Sequence, residues 1–458
     1  MGKTSGVKAK LSESCPWLIS VWCMPHRLEL AVMDMLKKSN LSQEVMDVLH
    51  LLYKTYHYSP KSRRELKAVA EHLSVKVRNP TRVRGTRWTP HVEKALRILL
   101  KCSSPGSTGQ YAVVLEHTEH LASSSRSAEV KGRSITVAKR MRNFTFITYA
   151  HFLLDILYIV RGLSETLQSN KAILPTVMSA LKTAVSQIEN LSVKCLRNSS
   201  LQQFLNLVHR HQGQGHDPTE FKFQGIALKG MPGEAADSSD LTTLPGNILA
   251  AMRTTVELIV TGIRERFDNL LCSADDIQGP GASKAVACFT VLNHDTWPEH
   301  DMELLTHGEA DIEYLIQWFG PLLKSNDCDV EAIPYQWNLL KTLVHQEFQD
   351  KSYSGLWTVM LTKEPYKNDF KDLLQLVQIM LVLPVTAAQC ERVFSAQTRV
   401  KTDCRSSLAT ETLEDLIRIS SEGPPVCQFQ PEAVAAKWMN SSTRSRRLAY
   451  KGWPGEVS

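Results

Sequence analysis

The stretch that most constrains this chain is 383–420, LPVTAAQCERVFSAQTRVKTDCRSSLATETLEDLIRIS, because it fixes where two helices begin. Pro384 ends the apolar run 373–383, since its ring clashes with the preceding turn and it has no N–H to donate. Thr386 with Gln389 three residues on has the form of a capping box, in which hydroxyl and amide satisfy free backbone donors at a helix start. Ala387, Cys390, Phe394 and Thr398 then recur at helical spacing, with Glu391 beside that apolar stripe. A carboxylate there needs a partner, and Arg392, Arg399 and Lys401 are candidates for an ordinary ion pair. Thr410 starts a second helix with Glu411 and Glu414 near its positive end, and Gly423-Pro424-Pro425 stops it. Leu413, Leu416, Ile417 and Ser420 share one face of that helix. This face either closes its own domain or docks on another copy.

The rest of the chain sets the bounds. With 458 residues, 43% hydrophobic and 22% charged, two or three packed regions are expected in a globular protein. The expected location is intracellular: no apolar run is read as long enough for a bilayer, and no secretory signal follows Met1. Ten cysteines are scattered without a C-x-x-C pair, so they read as reduced thiols, with no metal and no cofactor expected. A net charge of +6 permits contact with nucleic acid without arguing for it.

Along the chain, 17–21 (WLISV) reads as a short buried strand after Pro16, followed by a helix. Cys23 and His26 have a metal-compatible spacing, but a structural zinc needs four ligands, and a role at the strand–helix junction fits better. Segments 41–58 and 61–73 form an expected antiparallel helix pair about Ser59-Pro60. The most basic stretch is 78–88, RNPTRVRGTRW, where Arg78, Arg82, Arg84 and Arg87 precede Trp88. It is either a phosphate- and base-binding segment or a solvated loop with a core tryptophan. Segment 144–167 is a buried helix whose Asp155 needs a partner and is read as a structural cap or pair. A long exposed loop is expected over about 212–246, with His209, His211 and His216 too poorly matched to read as a metal site. Helical spacing continues through 249–271, 297–319 and 337–348.

The stretch 384–420, with its E-R-x-F-S helix followed by a short apolar helix, resembles the C-terminal segment of hAT-family transposases and of vertebrate proteins derived from them, including those that join zinc fingers to a hAT-like region. The Cys23/His26 C-x-x-H pattern and the Arg87-Trp88 pair resemble hAT motifs too, and the latter implies DNA contact through Arg78, Arg82, Arg84, Arg87 and Trp88. The implied fold is α+β but mostly α: an incomplete RNase H-like core split by a large all-helical insertion, with C-terminal dimerisation helices. The corresponding divisions are 1–40 (core strand and helix), 41–345 (insertion), 346–425 (C-terminal core and dimerisation helices) and 426–458 (tail). Glu391 stands where the family has its third catalytic carboxylate. The two upstream aspartates have no counterpart here, and the first residues look like those that follow the family's aspartate-glycine segment. The resemblance therefore implies a domesticated, catalytically inactive protein that self-associates through Leu413, Leu416, Ile417 and Trp438, is nuclear, and contacts DNA. The alternative is a DDE-type transposase or nuclease whose longer form supplies the missing aspartates.

Overall fold

The computed structural model describes residues 6–83, 88–102, 107–169, 172–213, 221–231, 241–272, 274–277 and 279–440. The chain forms two compact units, Met1–Ala387 and Ala388–Ser458. Among the described residues the regular structure is helical apart from one two-stranded hairpin. The mostly-α expectation is met.

The first unit is built around Phe144–Leu167, whose neighbours include Asn40–His57, Trp88–Leu99, Leu174–Asn190 and Ser200–Gly213. At 24 residues with a mean hydropathy of 1.4 in its most apolar window, this helix is long and apolar enough to cross a bilayer, contrary to the expectation from sequence. Its neighbours bury 83% of that window. The apolar length is thus used on other helices: Phe144, Ile147, Phe152, Leu153, Ile156 and Val160 lie in the core. Four hydroxyls are pooled nearby. Tyr149 contacts Ser42 and Thr255 at 2.7 Å each and Ser39 at 2.9 Å, so burial strands none of these groups.

Several helices start where the sequence places a cap. Ser39, Ser59, Ser127, Asn143 and Ser352 each accept a backbone N–H from the first turn of the helix that follows. Ser59 precedes Pro60, and the pair Asn40–His57 and Pro60–His72 packs as expected about it. Asp155 provides a cap from a distance: its two carboxylate oxygens accept the N–H groups of Ser200 (2.8 Å) and Leu201 (3.0 Å) at the start of Ser200–Gly213. Burial raises its pKa to about 6.

Two expectations are corrected. Segment 17–21 leaves a turn at Trp17 and is irregular, with Trp17, Ile19 and Val21 packed on the core, and it is not in a β-ladder. Its alternation is satisfied by helices instead, and the Trp17 carbonyl accepts the Trp318 indole N–H at 3.2 Å. The interval 212–246 is not a loop throughout. Its described part holds the hairpin Lys222–Phe223 and Ile226–Ala227, turned by Gln224 and Gly225 at φ of 50° and 85°. Phe223 anchors it in the core against Tyr111, His151 and Phe204. Within the first unit one hydrophobic core runs from Met24 to Val385.

Candidate self-association surface

The C-terminal region begins inside the first unit. Tyr353–Thr362 and Leu373–Val382 bury Leu356, Trp357, Met360, Leu373, Leu376 and Val377. Buried Asp372 fixes their approach: its carboxylate accepts from the Asp329 N–H (3.0 Å) and from the Gln336 amide (2.9 Å), while the Gln336 oxygen accepts the Leu373 N–H (2.9 Å). Leu373–Val382 ends directly before Leu383-Pro384, as proline's chemistry requires.

The second unit contains Ala388–Val400, Thr410–Glu422 and Pro431–Asn440, and its first two helices pack together. The start of Ala388–Val400 falls one residue later than a Thr386 cap would set it. The expected stripe is overturned: Phe394 is 66% exposed and Cys390 and Thr398 are exposed, while Ala388 and Ala396 are buried and Val393 and Val400 are half-buried. Small alanines let backbones approach closely, so that face turns inward although Phe394 carries more apolar area. Glu391 lies in the first turn of this helix, half-buried, and its carbonyl accepts from the Ser395 hydroxyl.

On Thr410–Glu422 the expected residues separate. Leu413 is buried, Leu416 and Ile417 are half-buried, and Trp438 on the next helix is 43% exposed. Leu413 is thus covered within the single chain, whereas the other three keep accessible surface. The sequence reading missed Ile419, three residues past Leu416 and 69% exposed, although that spacing was visible. Val426, Phe429 and Val434 are also exposed, so half of the large apolar side chains described in this unit face solvent. Solvated singly, such residues are ordinary; gathered in one small unit they mark a surface to be covered.

The basic stretch belongs to the first unit. Arg84 and Arg87 lie outside the described residues. Arg78 and Arg82 are exposed, and the Arg78 backbone is pinned by the Gln110 amide through bonds of 2.8 and 2.6 Å. Trp88 is half-buried and opens Trp88–Leu99. The Glu29 carboxylate accepts the N–H groups of Trp88 (3.0 Å) and Thr89 (3.1 Å), so the anion position at this helix start is already filled by protein. Cys23 is the N-cap residue of Met24–Lys38, with no strand before it.

Two divalent ions would need several converging carboxylates. Among the described residues no three His, Cys, Asp or Glu side chains are gathered, so those residues do not fit such a pair of ions.

Compared with known families, residues 345–422 match the hAT family C-terminal dimerisation region. No solved structure matches the chain.

Proposed function

We propose that this hAT-family chain, which carries the family's C-terminal dimerisation region, is a domesticated, non-cleaving protein that works by self-association. The observation that carries the reading is the second unit's surface: within the matched region Phe394 and Ile419 are 66% and 69% exposed and Leu416 is half-buried, and beyond it Trp438 is 43% exposed. A second copy supplies a like surface, and a two-fold pairing lets each residue count twice. Light scattering over a concentration series tests this. Growth of the mass toward a dimer supports it, and a constant monomer mass to about 100 μM, roughly a −5 to −6 kcal/mol threshold, refutes it.

Absence of cleavage rests on the acidic set. Glu391 is the one residue that matches the family's three carboxylates, and one carboxylate cannot hold two metal ions. Divalent-metal-dependent cleavage of a hairpin DNA by the pure chain, lost in Glu391→Gln, would overturn this and favour the transposase reading. The finer architecture, a partial RNase H-like core interrupted by helices, is supported by one placement: Ile19, Ser20 and Trp22 line a cleft together with Leu383 and Val385, so both ends of the first unit meet.

DNA contact and nuclear location form a second reading. It is favoured by Arg78 and Arg82, which are exposed and have no acidic partner among the described residues. Steep loss of DNA affinity with salt, reduced in Arg78→Ala/Arg82→Ala, supports it; an unchanged affinity in that variant refutes it.

A further inference from the structure

The charge of this chain is segregated. Residues 268–331 hold thirteen Asp and Glu against two Lys and no Arg, in a chain of net charge +6. In other parts of the first unit several arginines are matched to acids: Arg133 with Glu129, Arg140 with Asp47, Arg161 with Glu165 and Arg266 with Asp34. Glu299, Asp301 and Glu303 differ. All three are exposed, and among the described residues none is ion-paired to lysine or arginine; Asp301 faces only the His345 ring, at 3.5 Å.

Of these acids, Asp301 also lines a groove. The helices Asp301–Thr306 and Ile333–Leu343 pack side by side, and a cavity of about 200 Å³ opens between them, lined by Asp301, Leu305, Asn338, Thr342 and His345 among others. The walls are tied together from below. Buried Lys341 donates to the carbonyls of Leu305 (2.6 Å) and His307 (3.0 Å), and the Trp337 indole donates to the same His307 carbonyl (3.0 Å). The rim is apolar. Met302 and Leu305, three apart, are 79% and 55% exposed, and Tyr335 and Leu339, four apart, are 68% and 45% exposed. Of these four, Leu305 lines the cavity, and Thr342, which also lines it, continues the Tyr335–Leu339 row at helical spacing.

We propose that this groove docks a lysine- and arginine-rich amphipathic helix of a partner protein. Two helices with an apolar rim form the ordinary receptor for a third helix, which lays its apolar face into the groove. The exposed acids select the charge of that helix, because they steer and hold cations and repel anions. The apolar contacts come from Met302, Leu305, Tyr335 and Leu339, and the ionic ones from Glu299, Asp301 and Glu303. This surface lies wholly within the first unit.

The test uses the full chain and a fluorescent peptide of leucine and lysine at helical spacing, carrying a photo-crosslinker. Anisotropy should show saturable, salt-weakened binding, with crosslinks at 299–305 and 335–346. Asp301→Lys/Glu303→Lys and, separately, Met302→Ser/Leu339→Ser should each weaken it about tenfold or more, while a peptide with glutamate in place of lysine should not bind. All four positions are exposed, so circular dichroism should show the fold retained. Crosslinks elsewhere, or equal affinity in either double variant, overturn the proposal. If the charge-reversed variant instead loses the chain's own self-association, the groove belongs to a second copy and the partner is refuted.

Discussion

Replacing Ile419 by serine tests whether the second unit's exposed apolar side chains are an interface. Full burial of an isoleucine stabilises by about 1.5–3 kcal/mol, and Ile419 is 69% exposed in the single chain, so a partner covering it gains about 1–2 kcal/mol per side chain. A two-fold dimer contains the residue twice, which makes the loss about 2–4 kcal/mol per dimer and weakens the Kd roughly 30- to 700-fold. Phe394→Ser, at 66% exposure, should act in the same direction and by a similar amount. Neither change touches the buried Leu413, so helix content should stay as in the wild type. Sedimentation equilibrium from about 1 to 100 μM measures the constants. Tyr158→Ser is the control, since Tyr158 is equally exposed (67%) but belongs to the first unit. If Ile419→Ser and Phe394→Ser left the wild-type Kd unchanged, or if Tyr158→Ser weakened it as much, these residues would be ordinary surface and the reasoning would fail.

Three further outcomes are expected. Burial raises the Asp155 pKa from 3.8 to about 6, so its contribution to stability is fully present below about pH 4 and is lost as pH rises through 6; about 3 kcal/mol is at stake over that range. Urea midpoints should show this slope in the wild type and lack it in Asp155→Asn; equal slopes would refute the assignment. Glu29→Ala removes the acceptor for the Trp88 and Thr89 N–H groups and should cost about 1 kcal/mol in chemical denaturation. Gln336→Ala leaves the buried Asp372 carboxylate and the Leu373 N–H each short of a partner, and should cost about 2–4 kcal/mol.

Local signals with one physical solution were legible in the sequence. Pro384 could only end its helix, Ser59-Pro60 could only turn the chain, and Asp155 inside an apolar run had to find backbone or charge partners. What stayed hidden required knowing the neighbours. Segment 17–21 alternates like a strand, but alternation shows only that one edge is buried, and here helices bury it. In Ala388–Val400 the arcs through Phe394 and through Ala396 have equal helical periodicity. Choosing the arc with more apolar area gave the wrong face, because close approach of backbones favoured alanine and left phenylalanine outside. The same preference for area hid Ile419, which stands apart from the Leu413–Ile417 cluster, and counting net charge over the whole chain hid the acidic stretch 268–331.

That reversal ties folding of the second unit to its association. Its buried apolar residues among those described are Ala388, Ala396 and Leu413, of which two are alanines. Thr410–Glu422 has 13 residues, a length at which an isolated helix is marginal in water, so its stability must come from packing. If a second copy provides that packing, the helix should be more protected as the chain is concentrated: each tenfold rise well above the dissociation constant adds about 1.4 kcal/mol through mass action. Hydrogen exchange at about 1 and 100 μM should therefore show slower exchange at 410–422 in the concentrated sample. Phe144–Leu167, buried within the first unit, should exchange at the same rate in both. Equal protection of 410–422 at the two concentrations would mean that the helix is held by its own unit, and the link between its folding and a second copy would be lost.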